Sequence, residues 1–136
     1  MTSAAADGLL SEVSALQAAY CRGVDDRDPD LLRAIVADDV EVVGADGVLR
    51  TGAEEFVGLF ARYWTSAASP VLHLVSNVEV LGDGDPLAVQ ALFHSVSRTA
   101  DDQIVQTWGR YRDLVTRAGH GGLVFAAKRI SVVHRR

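Results

Sequence analysis

The fold of this chain is decided by the stretch YCRGVDDRDPDLLRAIVADDVEV, residues 20–42. The stretch begins inside an amphipathic pattern whose apolar side chains recur at helical spacing: Leu9, Val13, Leu16, Tyr20 and Val24. This pattern predicts a first helix from about Gly8 to Val24, with Asp7 as its N-cap. Aspartates and arginines then crowd around a turn, at Arg22, Asp25, Asp26, Arg27 and Asp28. The stretch therefore raises the question of whether one of these carboxylates is turned inward.

A second, shorter helix follows the turn. Asp28 is a candidate for its N-cap, and Pro29 is well suited to the first helical position. Its apolar face consists of Leu31, Leu32, Ile35 and Val36. The sequence VEVVG, residues 40–44, then predicts a short strand, and ADG predicts a turn into VLR at residues 48–50.

The rest of the chain changes from helical to strand-like patterns. Thr51 and Glu54 have capping-box spacing, which predicts a third helix with an inward face of Phe56, Leu59, Phe60 and Tyr63. Long runs rich in β-branched residues follow Pro70: Val71–Leu81, Leu87–Arg98, Ile104–Val115 and Leu123–Val133. The short, turn-rich connections between them indicate an antiparallel sheet. We therefore expect one α+β domain over residues 1–136, a cone-shaped curved antiparallel β-sheet covered on its concave side by three N-terminal helices.

Composition narrows the classes of function. The 136 residues carry a net charge of −5, so the chain has no basic surface for nucleic acid. The single cysteine, Cys21, fits a reducing compartment, and no signal-like start or membrane-spanning apolar run is present. We expect a soluble cytoplasmic protein that binds neither nucleic acid nor membrane. No histidine or cysteine spacing typical of a metal site appears, so we expect no metal and no cofactor.

The predicted order of elements resembles the nuclear transport factor 2-like superfamily over nearly the whole chain. Within it, residues 20–42 are similar to the first two helices of SnoaL-like proteins, a group that includes polyketide cyclases, scytalone dehydratase and bile-acid dehydratase. The dehydratase pattern has a tyrosine, an aspartate five residues later and a histidine in the first long strand. Tyr20, Asp25 and His73 match this pattern. The resemblance implies that these three residues face one cavity and form a catalytic set.

The residues themselves are consistent with that role. Tyr20 shares the helix stripe of Leu16 and Val24, so its ring points inward. Asp25 lies one turn later and can reach the same side. A carboxylate bound to one ring nitrogen of His73 would fix its tautomer and leave the other nitrogen to act as acid or base. The alternative is structural: Tyr20 as a core aromatic residue and Asp25 as a solvated residue in a turn.

The direction of His73 is left open by the strand pattern. Alternation divides the strand into two faces, one with His73, Val75 and Asn77 and the other with Leu72, Leu74, Val78 and Val80. The second face is the more apolar, which argues mildly that His73 points away from the core. A mixed lining of histidine, valine and asparagine also fits a polar-bottomed cavity, and a single bulge would reverse the assignment.

Four further residues are candidates for substrate contacts: Asn77, His94, Trp64 and Trp108. For His94 and Trp64, a place in the core or an interface is the alternative. The positions where a ketosteroid isomerase would carry its acidic groups are Gly44 and Gly109, so that catalytic set is missing. A late arginine assists bile-acid dehydratase, but the nearest equivalents here, Val132 and Arg129, are out of strand phase. This argues against a substrate that bears a carboxylate.

Two hypotheses follow for function. The first is a cofactor-independent lyase or isomerase, a dehydratase or cyclase, that acts on a small hydrophobic oxygenated ring compound related to polyketides or steroids. The second is a non-catalytic ligand-binding or subunit-assembly module of the same fold. Contact between Asp25 and His73 inside a cavity favours the first, whereas a cavity filled by Phe93, Phe125 and Trp108 favours the second. Under both, we expect a homodimer formed through the exposed sheet face.

Overall fold

The computed structural model describes residues 2–136, apart from the side chains at positions 68 and 69. Three helices form, as predicted: α1 (Ser3–Asp25), α2 (Pro29–Ala34) and α3 (Ala53–Ser66). Helix α1 begins earlier than predicted, because the Thr2 hydroxyl rather than Asp7 caps it and accepts from the Ala5 N–H at 3.1 Å. The Asp28 cap of α2 is confirmed, since its carboxylate accepts from the Leu31 N–H at 3.0 Å.

Two local predictions about α2 and α3 are wrong. Helix α2 ends at Ala34, so Val36 starts a strand instead of completing a helical face. The N-cap of α3 is Gly52, at φ 104°, and no side chain caps the helix. The capping box fails because Thr51 is paired opposite Glu41 in the sheet.

The strands form one sheet: β1 (Val36–Val43), β2 (Leu49–Thr51), β3 (Ala68–Leu81), β4 (Leu87–Arg98), β5 (Ile104–Arg117) and β6 (Leu123–Arg135). Their order across the sheet is β2-β1-β6-β5-β4-β3, and the four long strands are antiparallel neighbours. Strand β1 pairs with β6 in parallel, so the sheet is mixed and not wholly antiparallel as predicted. The α+β fold with a curved, unclosed sheet and helices packed against it confirms the predicted class.

A bulge in β3 decides which residues face the helices. The pairing with β4 shifts between Ser76 and Glu79, and Asn77 within this step has φ 55°. The extra residue moves Val78 and Val80 to the inner face, which His73 and Val75 already occupy, and Val78 and Val80 pack against the core. Leu72 and Leu74 lie on the outer face, 60% and 55% exposed. Simple alternation therefore assigns the end of this strand to the wrong face, and the inner face is the apolar one.

Aromatic side chains fill the centre of the layer between α1, α3 and the sheet. The Tyr20 ring packs edge-on against Phe56, Phe60, Tyr111 and Phe125, at centroid distances of 6.5, 5.5, 5.4 and 6.1 Å. Such edge-to-face pairs are favourable beyond their buried area. Three members of this cluster, Tyr20, Phe60 and Tyr111, also line a cavity.

Candidate active site

Asp25 and His73 are in direct contact between the end of α1 and strand β3. One carboxylate oxygen of Asp25 accepts from the His73 backbone N–H at 2.8 Å, and the other lies 2.6 Å from the ring Nδ1. Both side chains are well buried, with exposures of 10% for His73 and 14% for Asp25. When Asp25 is ionised, Nδ1 carries the proton that Asp25 accepts, and Nε2 is left with a free lone pair. The pair therefore holds the imidazole in one orientation and one tautomer.

The neighbouring carboxylates of the turn have other positions. Asp26 is exposed, and Asp28 caps α2. Arg27 takes a left-handed conformation at φ 53° between them, and its guanidinium donates to the Ala67 carbonyl at 2.8 Å. The turn thus sends one of its three aspartates toward the sheet, which is the inward carboxylate that the spacing of Tyr20 and Asp25 suggested.

His73 lines a cavity of about 180 Å³ between the inner sheet face and the helices. Aliphatic and aromatic side chains supply much of its wall: Val24, Leu59, Phe60, Phe93, Ile130 and Val132. Polar side chains converge on it as well: Tyr20, Tyr63, His73, Ser95, Ser97, Thr107, Tyr111 and Arg135. Asp25 lies behind the His73 ring and does not line the cavity. An apolar wall with a few convergent polar groups is the usual form of a small-molecule site.

Three phenols face this cavity in their neutral form. Burial raises the pKa of Tyr20 well above its ordinary value, and the nearby Cys21 thiol adds to the rise. Burial raises the pKa of Tyr111 in the same way. Partial burial raises the pKa of Tyr63, while a hydrogen bond with Ser97 acts in the opposite direction. All three can donate a hydrogen bond at neutral pH. Tyr63 is the phenol nearest the dyad, with its ring centroid 6.4 Å from that of His73.

A buried ion pair lies beneath the cavity and was missed in the sequence analysis. The Lys128 ammonium donates to the Asp113 carboxylate at 3.0 Å and to the Gln17 amide oxygen at 3.3 Å. It also lies over the rings of Tyr111 and Tyr20, at 3.9 and 4.2 Å from their centroids. Burial lowers the pKa of Lys128 and raises that of Asp113, and the attraction between the two charges opposes both shifts. Strand phase with Ile130 could have placed Lys128 inward, but its partner comes from a different strand.

The structure places none of the four predicted substrate contacts in the cavity: Asn77, His94, Trp64 and Trp108. Asn77 occupies the β3 bulge and is exposed. His94 and Trp108 are cross-strand partners on the outer face, stacked with ring centroids 4.9 Å apart, because alternation gives the inner face to Phe93. The Trp64 ring N–H donates to the Val24 carbonyl at 2.8 Å, and this hydrogen bond links α3 to α1.

The structure explains two further features noted in the sequence, the glycine at position 109 and the absence of a late arginine in phase with the site. Gly109 lies under Phe93, and a Cβ there would come within 2.4 Å of that ring, so no acidic side chain could replace it without rearrangement. Arg129 is exposed on β6, but Arg135 lines the cavity. The pairing of β5 with β6 shifts between Trp108 and Gly109. Because of this shift, simple alternation along β6 does not predict that Arg135 faces the cavity.

A family model described as a SnoaL-like domain matches residues 9–129, which is most of the chain. The chain belongs to the SnoaL-like family. The matched range includes both Asp25 and His73. Within residues 2–136, no helix is long and apolar enough to cross a membrane, and no three histidine, cysteine, aspartate or glutamate side chains group as metal ligands would.

Solved structures with the same fold include enzymes of different chemistry. A putative scytalone dehydratase from Novosphingobium aromaticivorans is 18% identical, with a TM-score of 0.82 over 93% of this chain and 85% of its own. A hexachlorocyclohexane dehydrochlorinase, LinA type 2, is 16% identical, with a TM-score of 0.83 over 93% of this chain and 86% of its own. ActVI-ORFA from Streptomyces coelicolor is 14% identical, with a TM-score of 0.78 over 94% and 97%. No curated protein is detectably similar to the chain in sequence. At these identities, the likeness establishes the fold of the SnoaL-like domain and leaves its substrate open.

Proposed function

We propose that this SnoaL-like domain is a cofactor-independent lyase or isomerase, of the dehydratase or cyclase type, for a small hydrophobic oxygenated ring compound. The observation that carries the proposal is the hydrogen-bonded pair of His73 and Asp25, whose ring lines a cavity of about 180 Å³. Lyases are present among the structural neighbours, in a putative scytalone dehydratase and a dehydrochlorinase. That likeness supports the reaction class and does not identify the substrate.

The proposed step begins at the free Nε2 of His73. This nitrogen removes a proton from a carbon next to a carbonyl, and the C–H electron pair moves to give an enolate on the carbonyl oxygen. A neutral phenol, Tyr20 or Tyr63, donates a hydrogen bond to that oxygen. The enolate then collapses to a C=C bond and expels the β-hydroxyl group, which takes the proton back from the imidazolium and leaves as water. Asp25 stabilises the imidazolium throughout.

General acid–base catalysis by one positioned group contributes about 10²–10⁴-fold, and hydrogen bonds to the developing oxyanion add to it. The apolar wall helps, because exclusion of water strengthens both interactions. Phe93 lies 6.5 Å from His73 between ring centroids and forms part of this wall. The non-catalytic ligand-binding or assembly module has less support, since Asp25 and His73 are in contact and open space lies beside His73.

Turnover of β-hydroxyketones built on one ring tests the proposal. Loss of water is followed by mass spectrometry with the wild-type protein, with His73→Asn and with His94→Asn. His94 is the matched control, because it is a half-buried histidine on the outer face, hydrogen-bonded to Gln106 at 3.0 Å. We expect dehydration to vanish in H73N and to persist in H94N. Equal turnover by wild type and H73N would show that His73 is not the base.

A further inference from the structure

One row of paired residues crosses the inner sheet face at the cavity. The proposed base lies at one end of the row and an arginine at the other. His73 in β3 is paired with Ser95 in β4, Ser95 with Thr107 in β5, and Thr107 with Arg135 in β6. All four line the cavity. Neighbouring strands lie about 4.8 Å apart, so the row spans about 14 Å of backbone from His73 to Arg135. Curvature of the sheet turns the two ends toward each other.

The next row inward is apolar, which makes the polar row distinct. It consists of Val75, Phe93, Gly109 and Val132, paired in the same order. A ring placed on this row therefore has the proposed base at one side and a guanidinium at the other. Hydroxyl groups of Ser95 and Thr107 lie between these two ends.

The charge of the cavity points to an anion. Among the described residues that line it, none carries a carboxylate, and Arg135 supplies the fixed positive charge. Arg135 donates to the Thr107 hydroxyl at 3.4 Å, and within residues 2–136 no carboxylate lies within 4.0 Å of its guanidinium. Most of its hydrogen-bonding capacity is therefore left for a ligand. A chain of net charge −5 thus presents an unpaired cation at the site.

The position of Arg135 is fixed by the sheet and not left to a loose strand end. Gln106 and Arg136 exchange both backbone hydrogen bonds at 2.8 Å, directly beside the Arg135–Thr107 pair. The Arg135 side chain lines the cavity and is also exposed to solvent, so it lies at the opening, or mouth, of the cavity. The backbone that carries the guanidinium is therefore held in place, and the planar fork of the side chain suits bidentate binding of a carboxylate.

We propose that Arg135 binds a carboxylate on the substrate, so that the site takes a single-ring acid whose reactive carbon lies at His73. The proposal rests on the function proposed above, and it reverses the sequence-based argument against a carboxylate. The size agrees: a cavity of about 150 Å³ holds one benzene ring, and this cavity is about 180 Å³. Substituents beyond one ring extend through the mouth, past Arg135.

The test measures binding and needs no turnover. Benzoate and its neutral isostere benzamide are titrated into ¹⁵N-labelled protein at low salt, and dissociation constants are taken from amide shift changes. We expect the wild-type protein to bind benzoate about tenfold more tightly than benzamide. A difference of this size is expected from one charge-assisted, partly exposed hydrogen bond between Arg135 and the carboxylate. Arg135→Gln removes this preference and leaves benzamide binding unchanged.

Arg129→Gln is the matched control, because Arg129 is exposed in the same strand and does not line the cavity. It makes the same change in net charge, so it separates local binding from the general field of the protein. Equal weakening by R129Q and R135Q, equal affinity of the wild type for benzoate and benzamide, or no benzoate binding at millimolar concentration would each overturn the proposal. His73→Asn retains the preference for benzoate, so a failure of the catalytic proposal and a failure of this one are distinguishable.

Discussion

Replacing Asp25 by asparagine changes one carboxylate oxygen into an amide nitrogen at nearly constant volume. In the wild-type protein both oxygens accept, one from the His73 backbone N–H at 2.8 Å and one from Nδ1 at 2.6 Å. The amide has one oxygen and one NH₂ group. Because the backbone N–H can only donate, it takes the amide oxygen, and the NH₂ group is left facing Nδ1.

The consequence for His73 is a change of tautomer. An NH₂ group donates to Nδ1, so Nδ1 must become the acceptor and the ring proton moves to Nε2. Nε2 then has no lone pair with which to remove a proton. We expect activity to fall by about 10²–10⁴-fold, the value of a correctly protonated base. Both hydrogen bonds persist but are no longer charge-assisted, which lowers the free energy of unfolding by about 1 kcal/mol.

The tautomer can be measured directly and without a substrate, from the ¹⁵N chemical shifts of the His73 ring. The matched control is Asp26→Asn, which makes the same charge change at the next, exposed residue. We expect D25N to move the proton from Nδ1 to Nε2 and D26N to leave it in place. An unchanged tautomer in D25N, or the same change in both variants, would show that Asp25 does not set the tautomer of His73.

Three further predictions concern burial and assembly. Burial raises the pKa of Cys21 from 9.0 to about 12, so the unfolded thiol ionises first and the stability that it contributes is lost as the pH rises above 9. Between pH 8 and pH 10, wild type should therefore lose about 1.4 kcal/mol more unfolding free energy than Cys21→Ala in urea titrations, and parallel losses would contradict this. Gly109→Ala should cost about 1–3 kcal/mol in the same assay, because its Cβ would lie 2.2 Å from the Ser131 backbone oxygen and 2.4 Å from the Phe93 ring, and a neutral result would contradict that close packing. The exposed Leu72 and Leu74 of the outer sheet face lead us to expect a homodimer that Leu74→Asp converts to monomer in light scattering; a monomeric wild type would contradict the dimer.

Local rules were sufficient where local interactions decide the structure. The Asp28 cap followed by Pro29, the β4 run Leu87–Arg98 and the inward stripe of Tyr20 could all be read from spacing, since each depends on neighbours in the chain. The α+β class follows from the same patterns, whereas the SnoaL-like family was indicated by the resemblance of residues 20–42 to known proteins. The start of α1 could not be fixed because Thr2 and Asp7 are both acceptable caps.

The site required information that a single strand does not carry. Asn77 shifts the inner face of β3, and a second irregularity near Gly109 brings Arg135 to the cavity; asparagine and glycine are compatible with bulges, but their presence alone does not fix the register. The buried pair of Lys128 and Asp113 depends on the register between β5 and β6. His94 and Trp108 were predicted to contact substrate because of their side-chain chemistry, but alternation places them on the outer face. Long-range register, rather than residue type, therefore separates the cavity residues from the others.

The most direct test of the central claim is hydrogen exchange at carbon. Ring ketones are incubated with the protein in D₂O, and loss of the ¹H signal next to the carbonyl is followed by NMR. This reports proton removal even when no leaving group is present. We predict protein-catalysed exchange that disappears in His73→Asn and persists in His94→Asn. Ketones that bind in the cavity without exchange would contradict catalysis and indicate a binding module, and exchange that survives in H73N would show that His73 is not the base.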